Sequence, residues 1–253
     1  MMEQVQFVFW EALKTLGLVV FALLALKAVR AFVGERRRPS TLGVVLYGAI
    51  VALVIVGARA VGQDVAAEVY DWAGQRNLDR HQYPAAYANS LRAVELRPGV
   101  LRYWQSLARA KFSTAQFASV LQDEPVFRAL SPNGLDEDDL LRFAYSRFFL
   151  GEQREVILAA HEIIQRNPNY PKPYVLAGLA ETELGEYADA ERSFLNALRI
   201  LPTQADAVEG LAHVYFLMGA TDRALSVLDA TSHYAFPFEK RARFSALKAL
   251  YEQ

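Results

Sequence analysis

The sequence predicts an all-α protein: two transmembrane helices, then an α-solenoid of about five helix pairs and a capping helix. Three observations predict it. Apolar residues are concentrated in the first sixty of 253 positions. Within them, Leu42–Ala58 is a run of seventeen residues without a charge. Downstream, prolines recur at near-constant intervals, at Pro98, Pro132, Pro168, Pro202 and Pro237.

The run Leu42–Ala58 is about 26 Å long as a helix, close to the thickness of a bilayer core. Upstream, Thr15 to Leu26 is uncharged but shorter. It spans if Lys14, Lys27 and Arg30 carry their charges to the headgroups along their apolar stems. Phe7, Phe9 and Trp10 stand where an aromatic belt would lie. The two membrane helices are expected at about 9–33 and 41–61, joined by a basic loop at 34–40. The segment Met1-Met2-Glu3-Gln4 lacks the positive charge of a signal peptide, and no A-x-A site follows. Lys27, Arg30 and Arg36-Arg37-Arg38 crowd the connection, so the positive-inside rule puts that loop in the cytoplasm. Both termini then lie on the other side, which for a bacterial inner membrane is the periplasm. Gly48 and Ala52 form a small-xxx-small pair through which a second helix could approach. Residues 1–62 therefore read as the anchor and 63–253 as the solenoid. Arg59 to Trp72 has no proline, which predicts that the second membrane helix runs on into the first repeat helix. That continuity would hold the solenoid rigidly at the membrane surface.

The repeat is clearest from Pro171 to about Gln204, which carries Tyr174, Gly178, Gly185, Tyr187, Ala190, Phe194, Ala197 and Pro202. Small Gly178 and Ala190 suit a close helix crossing, and Gly185 supplies a left-handed residue at a helix end. Phe194 fills the gap between the pair and its neighbour, and Pro202 stops the second helix. Shifted by one period, Leu211, Ala212, Tyr215, Gly219, Ala224 and Leu228 take equivalent places. Phe143, Ala144 and Gly151 do so one period earlier, then Trp104, Leu107 and Ala108, then Gly74, Tyr83, Ala86 and Ala93. This pattern over residues 67–237 resembles the tetratricopeptide repeat, TPR, in both its residues and its proline spacing. Phe238, Ala242, Ala246, Leu247 and Leu250 then read as a capping helix at about 238–251, with partner docking as its second reading.

Composition and motifs exclude several kinds of chemistry. A net charge of −1 gives no global attraction for nucleic acid, and the absence of cysteine removes disulfides and thiolate sites. His161-Glu162-Ile163-Ile164-Gln165 approaches the H-E-x-x-H zinc motif but lacks its second histidine. The run Asp136-Glu137-Asp138-Asp139 lacks the spaced ligands of a calcium loop and suits a helix start instead. No nucleophile elbow, phosphate loop or dinucleotide fingerprint occurs. The expectation is a protein with no catalytic residues, no cofactor, no metal and no small-molecule substrate.

The TPR resemblance implies binding of proteins along a concave face lined by the first helix of each unit. Carried onto this sequence, that face takes Gln105, Arg109 and Phe112, then Leu141, Tyr145 and Phe148. Val175, Leu179 and Thr182 follow, and then Glu209, His213 and Phe216. Tyr145, Phe148 and Phe216 could equally be core between repeats. The paired Lys and Asn of the carboxylate-clamp variant are missing, which speaks against a receptor for acidic peptide tails. The leading expectation is a scaffold, an accessory or assembly subunit of a larger membrane complex. The alternative is a free-standing tethered adaptor that recruits soluble proteins or peptides transiently.

Overall fold

The structure, a computed structural model, describes Lys27, residues 41–231 and residues 234–252. The first predicted membrane helix and the basic loop therefore lie outside the described residues, apart from Lys27. Among the described residues, eleven helices follow in order, beginning with α1 (Thr41–Asp79), α2 (Tyr83–Leu96), α3 (Leu101–Ser113), α4 (Phe117–Leu130), α5 (Glu137–Phe149) and α6 (Gln153–Arg166). They continue as α7 (Pro171–Glu183), α8 (Tyr187–Ile200), α9 (Ala205–Leu217), α10 (Thr221–Ala230) and α11 (Phe238–Tyr251). The architecture is an all-α solenoid of the TPR type.

The prolines act as the period predicts. Pro98, Pro132, Pro168 and Pro202 each stand two residues beyond a helix end, at Leu96, Leu130, Arg166 and Ile200. Proline has no amide hydrogen to extend a helical ladder, so each second helix stops there. The turns inside the pairs repeat as well. Gly151, Gly185 and Gly219 take φ of 82°, 75° and 74°, two residues past α5, α7 and α9. His81 and Ala115 occupy the equivalent place at φ 57° and 56°, a conformation that strains any residue carrying a Cβ. The acidic run before α5 is a cap: the Asp139 amide donates to Asp136 Oδ1 at 2.7 Å, beside three acidic residues in the first turn.

The described chain forms two compact units, Met1–Thr114 with α1 to α3 and Ala115–Gln253 with α4 to α11. In the first, Ala67, Ala93, Val94, Tyr103 and Leu107 form a small core. In the second, each first helix packs on its own second helix, and α5, α7, α9 and α11 also touch in succession. Phe194 of α8 locks this layer. It is fully buried, and a Cβ built at Gly178 of α7 or Gly210 of α9 would stand 2.9 or 2.3 Å from its ring. Only hydrogen leaves room for that aromatic plug between successive first helices.

α1 is a single helix of 39 residues, about 58 Å long, so the predicted continuity of the second apolar segment with the first repeat holds. Among the described residues, no helix is long and apolar enough to cross a membrane. Between 41 and 58, described side chains include Val45, Leu53 and Val56, exposed by 67, 75 and 68%. Gly48 and Ala52 are exposed, and a Cβ at Gly48 would meet nothing within 4 Å. The predicted small-residue contact is therefore not made among the described residues.

The terminal helix corrects one expectation. α11 does pack on α9 and α10, but through Phe244, Leu247 and Tyr251. Phe238, Ala242, Ala246 and Leu250, expected on its inward face, are exposed.

Candidate partner-binding surface

The first helix of a TPR-like pair has one side against its own second helix, one against the preceding pair, and a remainder for partners. That division sorts the predicted residues. On α3, Arg109 is exposed, while Gln105 and Phe112 are half-buried. In the second unit, Leu141 and Val175 are buried, at 5 and 1% exposure. They belong to the packed layer and cannot line a floor for a partner. Tyr145 and Phe148 are half-buried on α5. Burial, helped by the Asp206 charge, pushes the Tyr145 phenol up to about 12, so it stays a neutral donor. Phe148 stands edge-on to Phe149, ring centres 5.7 Å apart. Thr182 donates its hydroxyl to the Gly178 carbonyl at 2.6 Å, which commits it to its own helix.

Leu179, Glu209 and His213 do come together. They line a cleft of about 360 Å³ with Asp206 and Gly210 of α9 and with Arg243, Leu247 and Tyr251 of α11. Phe216 stacks on Tyr251, ring centres 4.3 Å apart and planes 15° from parallel. The predicted set names no α11 residue, since that helix reads first as a cap and only second as a docking element. A shift by one repeat period finds them: Glu209 leads to Arg243, His213 to Leu247 and Leu217 to Tyr251.

The charges around the cleft are largely compensated. Arg243 Nε donates to Glu209 Oε2 at 2.8 Å, and Lys240 Nζ donates to Asp206 Oδ1 at 2.8 Å. Burial holds the Glu209 carboxyl above its ordinary range, although Arg243 and Lys240 pull the other way. The Asp206 hydrogen bond raises the Lys240 ammonium, and burial raises the Tyr251 phenol. An apolar floor of Leu179, Leu247 and Tyr251 under paired charges suits a segment of polypeptide. Among the described residues, no group of His, Asp or Glu is arranged to hold a metal. His161, from the incomplete zinc motif, sits exposed on α6.

A second surface is not evident in the sequence. Val69 and Trp72 of α1 are 48 and 41% exposed, and the Arg76 guanidinium lies 5.0 Å over the Trp72 ring. In α7 the equivalent residues, Pro173, Leu176 and Ala180, are all buried. These are the positions of a first helix that face a preceding pair. In the first repeat they stand open, with two of the residue types that most often anchor interfaces.

The tetratricopeptide-repeat family model matches residues 181–251. No curated protein matches the sequence. Among solved structures, a thermophilic TPR protein of Thermus thermophilus is similar with a TM-score of 0.58 and 21% identity, over 72% of this chain and 98% of that one. MamA from Desulfovibrio magneticus RS-1, residues 41 to the end, gives 0.59 and 13%, over 66% of this chain and 94% of that one. A further MamA structure gives 0.55 and 18%, over 74 and 96%. At these identities the likeness is one of fold: a TPR solenoid.

Proposed function

We propose that the chain is a non-catalytic, membrane-anchored TPR scaffold, an accessory or assembly subunit of a larger membrane protein complex. One observation carries the proposal. α1 runs without a break from Thr41 into the first repeat, and Val45, Leu53 and Val56 project from its first half into open space. Water holds such side chains open at a cost, whereas a bilayer or an apolar partner accepts them. The seventeen uncharged residues Leu42–Ala58 extend that character around the helix. The anchor would then be the helical hairpin of residues 1–62, with both termini opposite the basic loop, on the periplasmic side of a bacterial inner membrane.

Asp64, which pairs with Arg97 inside the unit, lies only six positions beyond Ala58. The first repeat would therefore sit about 9 Å from the end of the apolar run. The open Val69, Trp72 and Arg76 would face a neighbouring subunit at that level. The cleft of α7, α9 and α11, with Glu209, His213 and Arg243, supports the second reading, transient capture of soluble polypeptide segments.

Mild-detergent purification of the tagged full chain from native membranes, with mass spectrometry of what accompanies it, separates the two. A stoichiometric set of membrane proteins that survives gel filtration, and that Trp72→Asp releases, supports the subunit. A lone chain, or one with substoichiometric soluble companions, supports the adaptor. A reporter fused after Gln253 that works only in the cytoplasm overturns the orientation.

A further inference from the structure

The outer side of α1 carries a row of residues at three- and four-residue spacing: Gly62, Val65, Val69, Trp72 and Arg76. It lies opposite Ala67, Asp71 and Gly74, the buried side on which the first unit packs. Gly62, Val69, Trp72 and Arg76 are exposed, Val65 is half-buried, and a Cβ at Gly62 would meet nothing within 4 Å. The row begins four residues beyond Ala58 and runs for about 21 Å. In α7 the equivalents of Val69, Trp72 and Arg76 are buried, and the element that packs there is a single helix. That helix is α6, whose own buried row is Val156, Ala160 and Ile163. The shape that fits the row on α1 is therefore one helix. Charge says more about it. The Arg76 guanidinium lies over the Trp72 ring and, among the described residues, pairs with no carboxylate.

We infer that the row receives a helix of a membrane-embedded partner, at the point where that helix leaves the bilayer beside α1. This rests on the reading of Leu42–Ala58 as a bilayer span. A helix lying along Gly62 to Arg76 has its near end within about 6 Å of the apolar run, so the partner's own span continues it without a linker. A soluble helix would instead end there, with its unpaired backbone groups set against an apolar strip. Gly62 admits a close approach just outside the bilayer, and Val65, Val69 and Trp72 take apolar side chains beyond it. The partner carries an Asp or Glu about 27 Å past its span, level with Arg76, to complete a charge-assisted pair.

The test uses the full chain in native membranes. A genetically encoded photo-crosslinking residue replaces Val65 or Trp72 and, as the control, Gln63, which is exposed on another side of α1. Mass spectrometry reads the linked sites. Both row positions should capture the same partner well above the control, and that partner should resist alkaline carbonate. Its site linked from Trp72 should lie about seven residues farther from its apolar span than the site linked from Val65, because the two helices rise together. Arg76→Glu should weaken the Val65 adduct, and Arg76→Lys should preserve it. Links to a carbonate-soluble protein, to a second copy or to another part of the same chain overturn the inference, as do adducts no greater than the control. The same carbonate wash separates the two levels. A chain that washes off overturns the anchor and the partner helix together, whereas a chain that stays without a row-specific partner overturns the partner helix alone.

Discussion

The pairs α7–α8 and α1–α2 place different residues at one spot in the repeat. In α7–α8, Phe194 of the second helix lies against Gly178 of the first and reaches on to Gly210 of the next. In α1–α2, Ser90 lies against Gly74, where a Cβ would stand 2.5 Å from its hydroxyl. Both crossings require glycine. Yet Ser90 is too short to reach a further helix, and its buried hydroxyl has no hydrogen-bond partner. Beside the apolar core that Ala67, Ala93 and Val94 share with Tyr103 and Leu107, polar groups join the first pair to α3. Tyr103 donates to Glu68 Oε1 at 2.6 Å, and Arg102 pairs with Glu68 and, at 3.3 Å, with Asp71. The glycine thus serves the approach of two helices within a pair. The aromatic serves the joint between pairs, and a polar cluster can take its place.

The largest way to break this comparison is to empty the plug. Phe194→Ala should cost about 3–5 kcal/mol in denaturant unfolding. Ser90→Ala should cost nothing and stabilise by up to about 1 kcal/mol, since it removes a buried group without a partner. Equal losses at the two positions would mean that the aromatic is not a joint. The next effect is overpacking. Gly210→Ala forces a Cβ toward the Phe194 ring and should cost about 1–3 kcal/mol, and adding Phe194→Leu should recover part of it. Hydrogen exchange would locate both losses in α7 to α9.

Smaller effects sharpen the contrast between the glycine turns and their substitutes. Ala115→Gly and His81→Gly should each stabilise by about 0.5–1 kcal/mol, because the left-handed conformation is free for glycine alone. Gly185→Ala should lose a similar amount, read from the same unfolding curves.

The smallest effect is one of pH. Glu181 is 6% exposed, its Oε2 has no hydrogen-bond partner, and burial raises its pKa above the ordinary 4.5. A carboxyl raised on folding is protonated more readily in the native state. Stability is therefore greatest below the unfolded pKa and falls as pH rises through the folded one. Glu181→Gln should lift the melting temperature at neutral pH, and the gain should vanish as the pH approaches 4.5. A gain independent of pH would assign the effect to packing.

The solenoid was legible because prolines and small residues at fixed spacing report backbone events, where few side chains are tolerated. Gly185 and Phe194 could be given their places from the sequence alone. His81 and Ala115 could not be read as turn residues, since nothing in their chemistry advertises a positive φ. The partner face was less legible for a geometric reason. A first helix turns two of its sides to other helices, and apolar Leu141 and Val175 look the same in a groove as in a seam. On α11, the i, i+4 row suggested an inward face. The side that packs is instead amphipathic, because Lys240 and Arg243 find partners in Asp206 and Glu209. Charges that pair within the stack hide a buried face from any reading of hydrophobicity.

The central proposal is that residues 1–62 anchor the solenoid in a bilayer. The most direct measurement is the partition of the full chain between pellet and supernatant when native membranes are washed with alkaline carbonate. The account predicts that all of it stays in the pellet until detergent is added. Release of the chain by carbonate alone would contradict the anchor.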